Sequence, residues 1–260
     1  MRSDAESLLP VSASPSSHAN LGAVAIPESE AASLLFSHDK TMLIHSVEQW
    51  YSGTIKNQKI LSDWFVVKVE HMKNFHYSIV FHEYLRVTLQ RRKDDDQEKS
   101  GPRNGLGLQR QECTIFVERG PEEDEVIVGC ELHEVPRLYG WWIVRFLRGN
   151  YNGAMNNNVK LTQKWKEMCY SASDFLRCLE FDLGVVSLCY FAKVISFWSK
   201  SRAHYHVAKA NCYWFADIVY TQLKHDRKGT LKETEGGYVK HRSKFSGLRI
   251  LFNSVSLTIP

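Results

Sequence analysis

The sequence predicts an α+β protein in which an antiparallel sheet packs against a helical layer. β-Branched and aromatic runs indicate the sheet, and they occur at Trp64–Glu70, Cys113–Arg119 and Glu125–Leu132, because such residues favour strands. The predicted sheet also includes a strand at His76–Leu89, and its connections are too short for crossover helices, which favours antiparallel pairing. Downstream, apolar residues recur at the spacing of one helix face, which indicates the helical layer.

Composition and charge are those of an ordinary globular chain. At 260 residues, with 43% hydrophobic and 24% charged residues, it can bury a core that needs no disulfide or metal. The net charge of +4 is not concentrated in one block, so we expect no nucleic-acid partner. The six cysteines form no C-x-x-C pair, which favours reduced thiols in a cytoplasmic protein.

We expect neither a targeting signal nor a membrane span. The most apolar stretch, Val185 to Trp198, is interrupted by polar residues and is shorter than the roughly 20 residues that a spanning helix needs. Residues 1–30 are rich in Ser, Ala and Pro and are predicted to be a disordered tail. The remainder, 31–260, is predicted to be a single domain of catalytic type with a flexible insertion at 91–111, which is charged and almost free of apolar residues.

Each predicted element follows from its local pattern. Apolar residues from Glu30 to Tyr51 predict helical segments around a break near 37–39. His76 to Leu89 is predicted to be one long strand or a bent pair, and Trp141 to Leu147 a fifth strand. Leu248 to Phe252 could be an edge strand.

Helices are predicted in the second half of the chain. Lys164 to Tyr170 fits a short helical turn. Ser171-Ala-Ser-Asp matches a capping box ahead of a helix at Phe175–Leu183, which Gly184 would end. A second helix is predicted at Val185–Lys200.

Cys212 stands in the first turn of the last predicted helix. Asn211 is a suitable N-cap, and the following apolar residues lie at helical spacing: Phe215, Ile218, Val219 and Leu223. A thiol at this position is close to the positive end of the helix dipole, which favours the thiolate and therefore a nucleophile. A cysteine on an amphipathic helix also commonly packs in the core, so both interpretations stay open here.

A cysteine nucleophile needs a base and usually a third group that orients the base. His76 opens a predicted strand, so its imidazole would project where a helix start can meet it; a surface histidine is the alternative. Glu118 lies at the far end of the Cys113 strand, which would return toward His76, so its carboxylate could orient the imidazole. An exposed strand-end charge beside Arg119 is the alternative for Glu118. The backbone N–H of Cys212 would serve as an oxyanion donor.

Two motifs carry a resemblance. His76-Tyr-Ser-Ile-Val resembles the His-[Tyr/Trp/Val]-Gly-[Ile/Val] strand of circularly permuted papain-like enzymes of the NlpC-type superfamily, namely the lecithin:retinol acyltransferase and PPPDE thiol isopeptidase families. Asn211-Cys-Tyr-Trp-Phe215 resembles the Asn-Cys-x-x-Phe helix start that carries their nucleophile. The resemblance covers roughly residues 64–223 and implies a permuted papain-like fold, with Cys212 as nucleophile and His76 as base.

The resemblance implies a cysteine hydrolase, peptidase-like or isopeptidase-like, that cleaves an amide or ester bond of a protein or other substrate through a thioester. Ser78 replaces the glycine usual in the first motif, and the second histidine of the acyltransferases has no counterpart, which favours hydrolysis. An acyltransferase with the same intermediate is one alternative. A non-catalytic interaction module of the same fold is another. No cofactor or metal is predicted, because His204 and His206 have no ligand cluster beside them.

Overall fold

The computed structural model describes residues 28–37, 41–74, 82–92, 112–120, 123–130, 166–167, 169–171, 173–201, 211–241, 244–245 and 248–249. Residues 1–27 of the predicted tail, 93–111 of the predicted insertion and the predicted strand Trp141–Leu147 lie outside these ranges. His76 also lies outside them.

The architecture is a large antiparallel sheet with helices packed on it, so the predicted α+β class is confirmed. The strands of the main sheet are β1 Leu43–Ser46, β2 Trp64–Lys73, β3 Glu83–Arg91, β4 Glu112–Arg119, β5 Asp124–Val128, β6 Asp174–Phe181, β7 Val186–Ser187 and β8 Leu231–Glu235. This eight-stranded sheet has the order β1-β5-β4-β3-β2-β6-β8, with β7 paired to β2. A separate two-stranded sheet is formed by β9 Lys244–Phe245 and β10 Leu248–Arg249.

The described helices are α1 Glu28–Ser33, α2 Val47–Lys56, α3 Gln58–Leu61, α4 Leu188–Ser201 and α5 Cys212–Asp226, with a 3-10 turn at Val239–His241. Helix α4 packs against α2 and α5, and α5 packs across β2, β3 and β4. No described helix is both long enough and apolar enough to cross a membrane.

The sheet carries apolar side chains on both faces. The larger cluster joins the helices to the sheet and includes Trp50, Leu85, Val117, Phe191 and Val219, all fully buried. Since side chains alternate along a strand, Met72, Tyr84, Phe116 and Ile127 belong to a second, smaller cluster, which Met42 and Tyr170 complete. Tyr170 comes from a helical turn at 169–171, so this turn covers the second face of the sheet.

Several predicted elements are confirmed. β2 begins at Trp64 as predicted and continues to Lys73, while β4 and β5 coincide closely with the predicted third and fourth strands. β3 ends at Arg91, the first residue of the predicted insertion. α4 and α5 occupy the positions of the predicted last two helices.

Two predictions are wrong. The segment Phe175–Leu183 is not a helix, because residues from Asp174 to Phe181 pair with β2 on one side and β8 on the other. Leu43–Ser46, within a region predicted to be helical, pairs with β5 instead. In both cases hydrogen bonds to distant strands outweigh a short local pattern that fits either a helix or a strand. Helix α1 also begins at Glu28, inside the last residues assigned to the tail.

Candidate active site

The site lies where the starts of β3 and α5 meet the end of β4. His82 directly precedes β3, and its carbonyl oxygen accepts a hydrogen bond of 2.8 Å from the backbone N–H of Asn74. This bond extends the pairing of β2 and β3 by one step beyond the strand ends. The imidazole of His82 is therefore attached to backbone that the hairpin holds in place.

Glu118 lies near the end of β4, the neighbour of β3 in the sheet. Its Oε2 is 2.8 Å from Nε2 of His82. The side chain of Glu118 is 9% exposed and that of His82 is 26% exposed. The carboxylate can thus fix the orientation of the ring in surroundings where water competes little.

Cys212 is the first residue of α5 and is 2% exposed. Its helix start is fixed by Asn211, whose side-chain oxygen accepts a hydrogen bond of 3.0 Å from the N–H of Trp214. The thiol of Cys212 is within hydrogen-bonding reach of the His82 ring.

Opposing effects set the charges in this cluster. Burial lowers the pKa of His82, but the negative charges of Glu118 and Cys212 outweigh burial and raise it from 6.5 to about 10. Burial would raise the pKa of Glu118, but His82 and a neighbouring lysine hold it far below its ordinary value. The geometry therefore favours an imidazolium beside the carboxylate of Glu118 and the sulfur of Cys212.

Comparisons of the chain with protein-family models, with curated proteins and with solved structures return no match.

Of the predicted site residues, Cys212 and Glu118 belong to one cluster, and the histidine that joins them is His82. The prediction for His76 falls outside the described residues. Sequence reasoning missed His82, although a signal for it exists. The alternating run of β3 begins directly after it, so His82 holds the strand-start position that had been assigned to His76.

An arginine fixes β4 against the first turn of α5. The guanidinium of Arg119 lies 5.2 Å from the ring centroid of Trp214 and 5.5 Å from that of Phe215. Its Nε donates a hydrogen bond of 2.8 Å to Asp124, and both side chains of this ion pair are 3% exposed. Since Arg119 follows Glu118 and Trp214 follows Cys212 closely, this contact holds the end of β4 beside the first turn of α5.

Beneath the site, five charged or titratable side chains form a buried network. Glu83 accepts hydrogen bonds from Lys73, at 2.7 Å, and from Nε2 of His71, at 2.8 Å. Nδ1 of His71 accepts from Arg177 at 3.2 Å, and Arg177 also pairs with Asp217 on α5. Burial, aided by the charge of Arg177, lowers the pKa of His71 despite the opposing charge of Glu83. His71 is therefore neutral and carries its proton on Nε2.

This network holds the same elements that carry the site. Glu83 follows His82, and the ammonium of Lys73 lies 4.5 Å from the ring centroid of Tyr213, which follows Cys212. The network therefore links β2, β3, β6 and α5 under the cluster. Among the residues that the structure describes, no group of three or more His, Cys, Asp or Glu residues is arranged to hold a metal ion.

Proposed function

We propose that this chain is a cysteine hydrolase of permuted papain-like type, with Cys212 as nucleophile, His82 as general acid and base, and Glu118 as the group that orients His82. The observation that supports this proposal is that His82 contacts both Cys212, at the start of a helix, and the buried carboxylate of Glu118. The order of histidine before cysteine in the chain is also that of the families that the sequence resembles, although the motif that carries the resemblance contains His76 and not His82.

The proposed reaction follows from the charges. The thiolate of Cys212 attacks a carbonyl carbon, and the C–S bond forms as the amine or alcohol leaves with a proton from His82. Water then attacks the thioester, His82 takes one proton from it, and the acid is released as the thiolate leaves. The N–H of Cys212 is among the first helix amides, which lack an intrahelical acceptor, so it is the proposed oxyanion donor.

A second candidate is a non-catalytic interaction module, and the burial of Cys212 favours it. At 2% exposure, the thiol is as buried as an ordinary core cysteine. In this case the contacts of Cys212 with His82 would only stabilise the junction of β3, β4 and α5.

An activated ester separates the candidates. With p-nitrophenyl acetate, we expect acetylation of Cys212 in the intact protein and steady release of p-nitrophenolate. His82→Ala should slow acetylation by about 10²–10⁴-fold, the usual contribution of a general base. His225→Ala is the matched control, because that histidine lies on α5 with 63% of its side chain exposed.

Three outcomes decide the assignment. Acetylation of Cys212 that depends on His82 and ends in hydrolysis supports the proposal. Faster turnover with an added amine, with an amide as product, would reassign the chain to acyl transfer. Absence of acetylation at Cys212, or equal rates in His82→Ala and wild type, would contradict a catalytic role and favour the module.

A further inference from the structure

We propose that Lys166 is a positioning residue that keeps Glu118 ionised for its contact with His82 by neutralising a second carboxylate, that of Glu125. This inference rests on the proposed function, and it concerns the residues around Glu118, the carboxylate that orients His82. Lys166 contacts Glu118, and it acts on His82 through this carboxylate.

The need for such a residue follows from strand register. Glu118 on β4 and Glu125 on β5 are direct partners across the two strands. Side chains at such positions are about 5 Å apart at their Cβ atoms, and like charges there repel. Their side chains are 9% and 22% exposed, so water screens this repulsion poorly.

Lys166 bridges the two carboxylates. Its Nζ donates to Oε1 of Glu118 at 2.9 Å and also contacts Oε2 of Glu125. The Lys166 side chain is 18% exposed. It comes from a segment far from β4 and β5 in sequence, and that segment also contributes Tyr170, whose hydroxyl donates to Oε2 of Glu118 at 2.7 Å.

These contacts determine which of the two carboxylates, Glu118 or Glu125, is protonated first as the pH falls. Burial and the charge of Glu118 raise the pKa of Glu125, although Lys166 opposes this. Glu118 has the opposite shift because it faces both His82 and Lys166. Burial raises the pKa values of the nearby thiols of Cys130 and Cys169 to about 12 and that of the Tyr170 hydroxyl well above its ordinary value, so these groups are neutral. Glu167 is a further carboxylate close enough to raise the pKa of Cys130. As pH falls, Glu125 therefore accepts a proton before Glu118 does.

Without Lys166, two opposed carboxylates would share a poorly solvated site, and one of them would hold a proton near neutral pH. His82 directs most of that proton to Glu125, but the fraction on Glu118 rises once Lys166 is gone. In that fraction His82 loses its ionic partner, and the thiolate of Cys212 is less favoured. Loss of the Lys166 charge should therefore slow the reaction of Cys212, and removal of the Glu125 charge as well should restore it. Loss of simple packing by Lys166 would not be reversed in this way.

The experiment measures the pH profile of iodoacetamide alkylation at Cys212, between pH 5 and 8, in the full chain. Lys166→Met should slow alkylation at pH 6 by roughly tenfold, the effect of losing a charge-assisted hydrogen bond, and shift the profile to higher pH. The double variant Lys166→Met with Glu125→Gln should recover to within about threefold of Glu125→Gln alone. Lys166→Arg should stay close to wild type, because its charge is kept.

Lys56→Met is the matched control, since Lys56 forms an exposed ion pair with Glu30 and should leave the profile unchanged. Lys166→Gln provides a second neutral variant if Lys166→Met does not fold, and it should show the same slowing. Equal slowing in Lys166→Met and in the double variant would overturn the inference.

A wild-type profile in Lys166→Met, or in Lys166→Gln, would overturn it as well. These results are distinct from failure of the proposed function, in which wild-type alkylation itself would not depend on His82.

Discussion

The charge of His82 is set by its two anionic neighbours, and each contributes separately. Glu118 contacts Nε2, and the sulfur of Cys212 also faces the ring. In the absence of these charges, burial would lower the pKa of His82 below 6.5. The imidazolium thus depends on the positions of the end of β4 and the start of α5. A change at Glu118 or at Cys212 should therefore change the pKa of His82.

We expect the pKa of His82, measured from its ring nitrogen or carbon chemical shifts by NMR, to be about 10 in the wild-type protein. Cys212→Ala and Glu118→Gln should each lower it, because each removes one negative partner. His225 provides a surface reference on the same spectrum. A wild-type value for His82 near 6.5 would show that the ion pair does not exist.

Much of the site, though not all of it, could be predicted from the sequence. Cys212 and Glu118 followed from local signals: an N-cap before an amphipathic run, and the end of a clear strand. The choice of His76 depended on where a strand starts, and β3 begins at Glu83. Tyr170 was not predictable as a partner of Glu118, because it is 52 residues away and no local pattern encodes that contact.

At the scale of elements, α5 is defined by its first turn. Asn211 caps it through its side chain, and its carbonyl oxygen accepts the N–H of Phe215 at 3.0 Å. The cap keeps Cys212 in the first turn, where the helix dipole favours a thiolate. Helix α2 has a comparable start, in which Ser46 and Gln49 form a capping box. The two helices therefore offer a matched comparison.

We expect Asn211→Ala to lower the free energy of unfolding by about 1 kcal/mol, the usual cost of losing an N-cap side chain. It should also slow alkylation of Cys212, because the frayed first turn no longer holds the thiol beside His82. Ser46→Ala should cost a similar amount of stability, measured by urea denaturation, without changing the alkylation rate. If the two variants behave alike in both measurements, the cap does not position the nucleophile.

Strands with strong local patterns were predicted correctly, whereas strands defined by their partners were not. β2, β4 and β5 are rich in valine, isoleucine and phenylalanine. β6 has an ambiguous apolar spacing behind a good capping sequence, and its state is decided by its position between β2 and β8. Such pairing joins parts of the chain that are distant in sequence, so a short stretch of sequence does not reveal that β6 is a strand.

At the scale of the whole molecule, buried charges connect the sheet to the helical layer. Lys73 and Glu83 are fully buried and paired, and Arg177 joins the same network to α5. Removing one partner of such a pair leaves an uncompensated buried charge, which is more costly than losing an exposed pair. Stability should therefore depend on this network far more than on ion pairs at the surface.

We expect Lys73→Met to lower the free energy of unfolding by about 3–5 kcal/mol, measured by urea denaturation. Lys56→Met should cost at most about 1 kcal/mol, because Lys56 is 57% exposed in its pair with Glu30. Adding Glu83→Gln to Lys73→Met should cost less than the sum of the single changes. Equal losses in Lys73→Met and Lys56→Met would show that the network adds no stability.

At the centre of the proposed function, pairing with His82 makes the buried thiol of Cys212 the reactive one. Exposure alone predicts the reverse order, because Cys212 is 2% exposed, while four other cysteines are half-buried: Cys113, Cys130, Cys169 and Cys189. Burial also raises the pKa values of Cys130, Cys169 and Cys178 to about 12, so these thiols are protonated and unreactive near neutral pH.

The most direct test is mass-resolved iodoacetamide labelling near pH 6, which follows each of the six cysteines separately. We expect Cys212 to be modified first, at least about tenfold faster than the other five, because only the thiolate reacts. His82→Ala should remove this advantage, and His225→Ala should preserve it. If the half-buried cysteines react before Cys212, or if His82→Ala leaves the order unchanged, the claim of a Cys212–His82 catalytic pair is wrong.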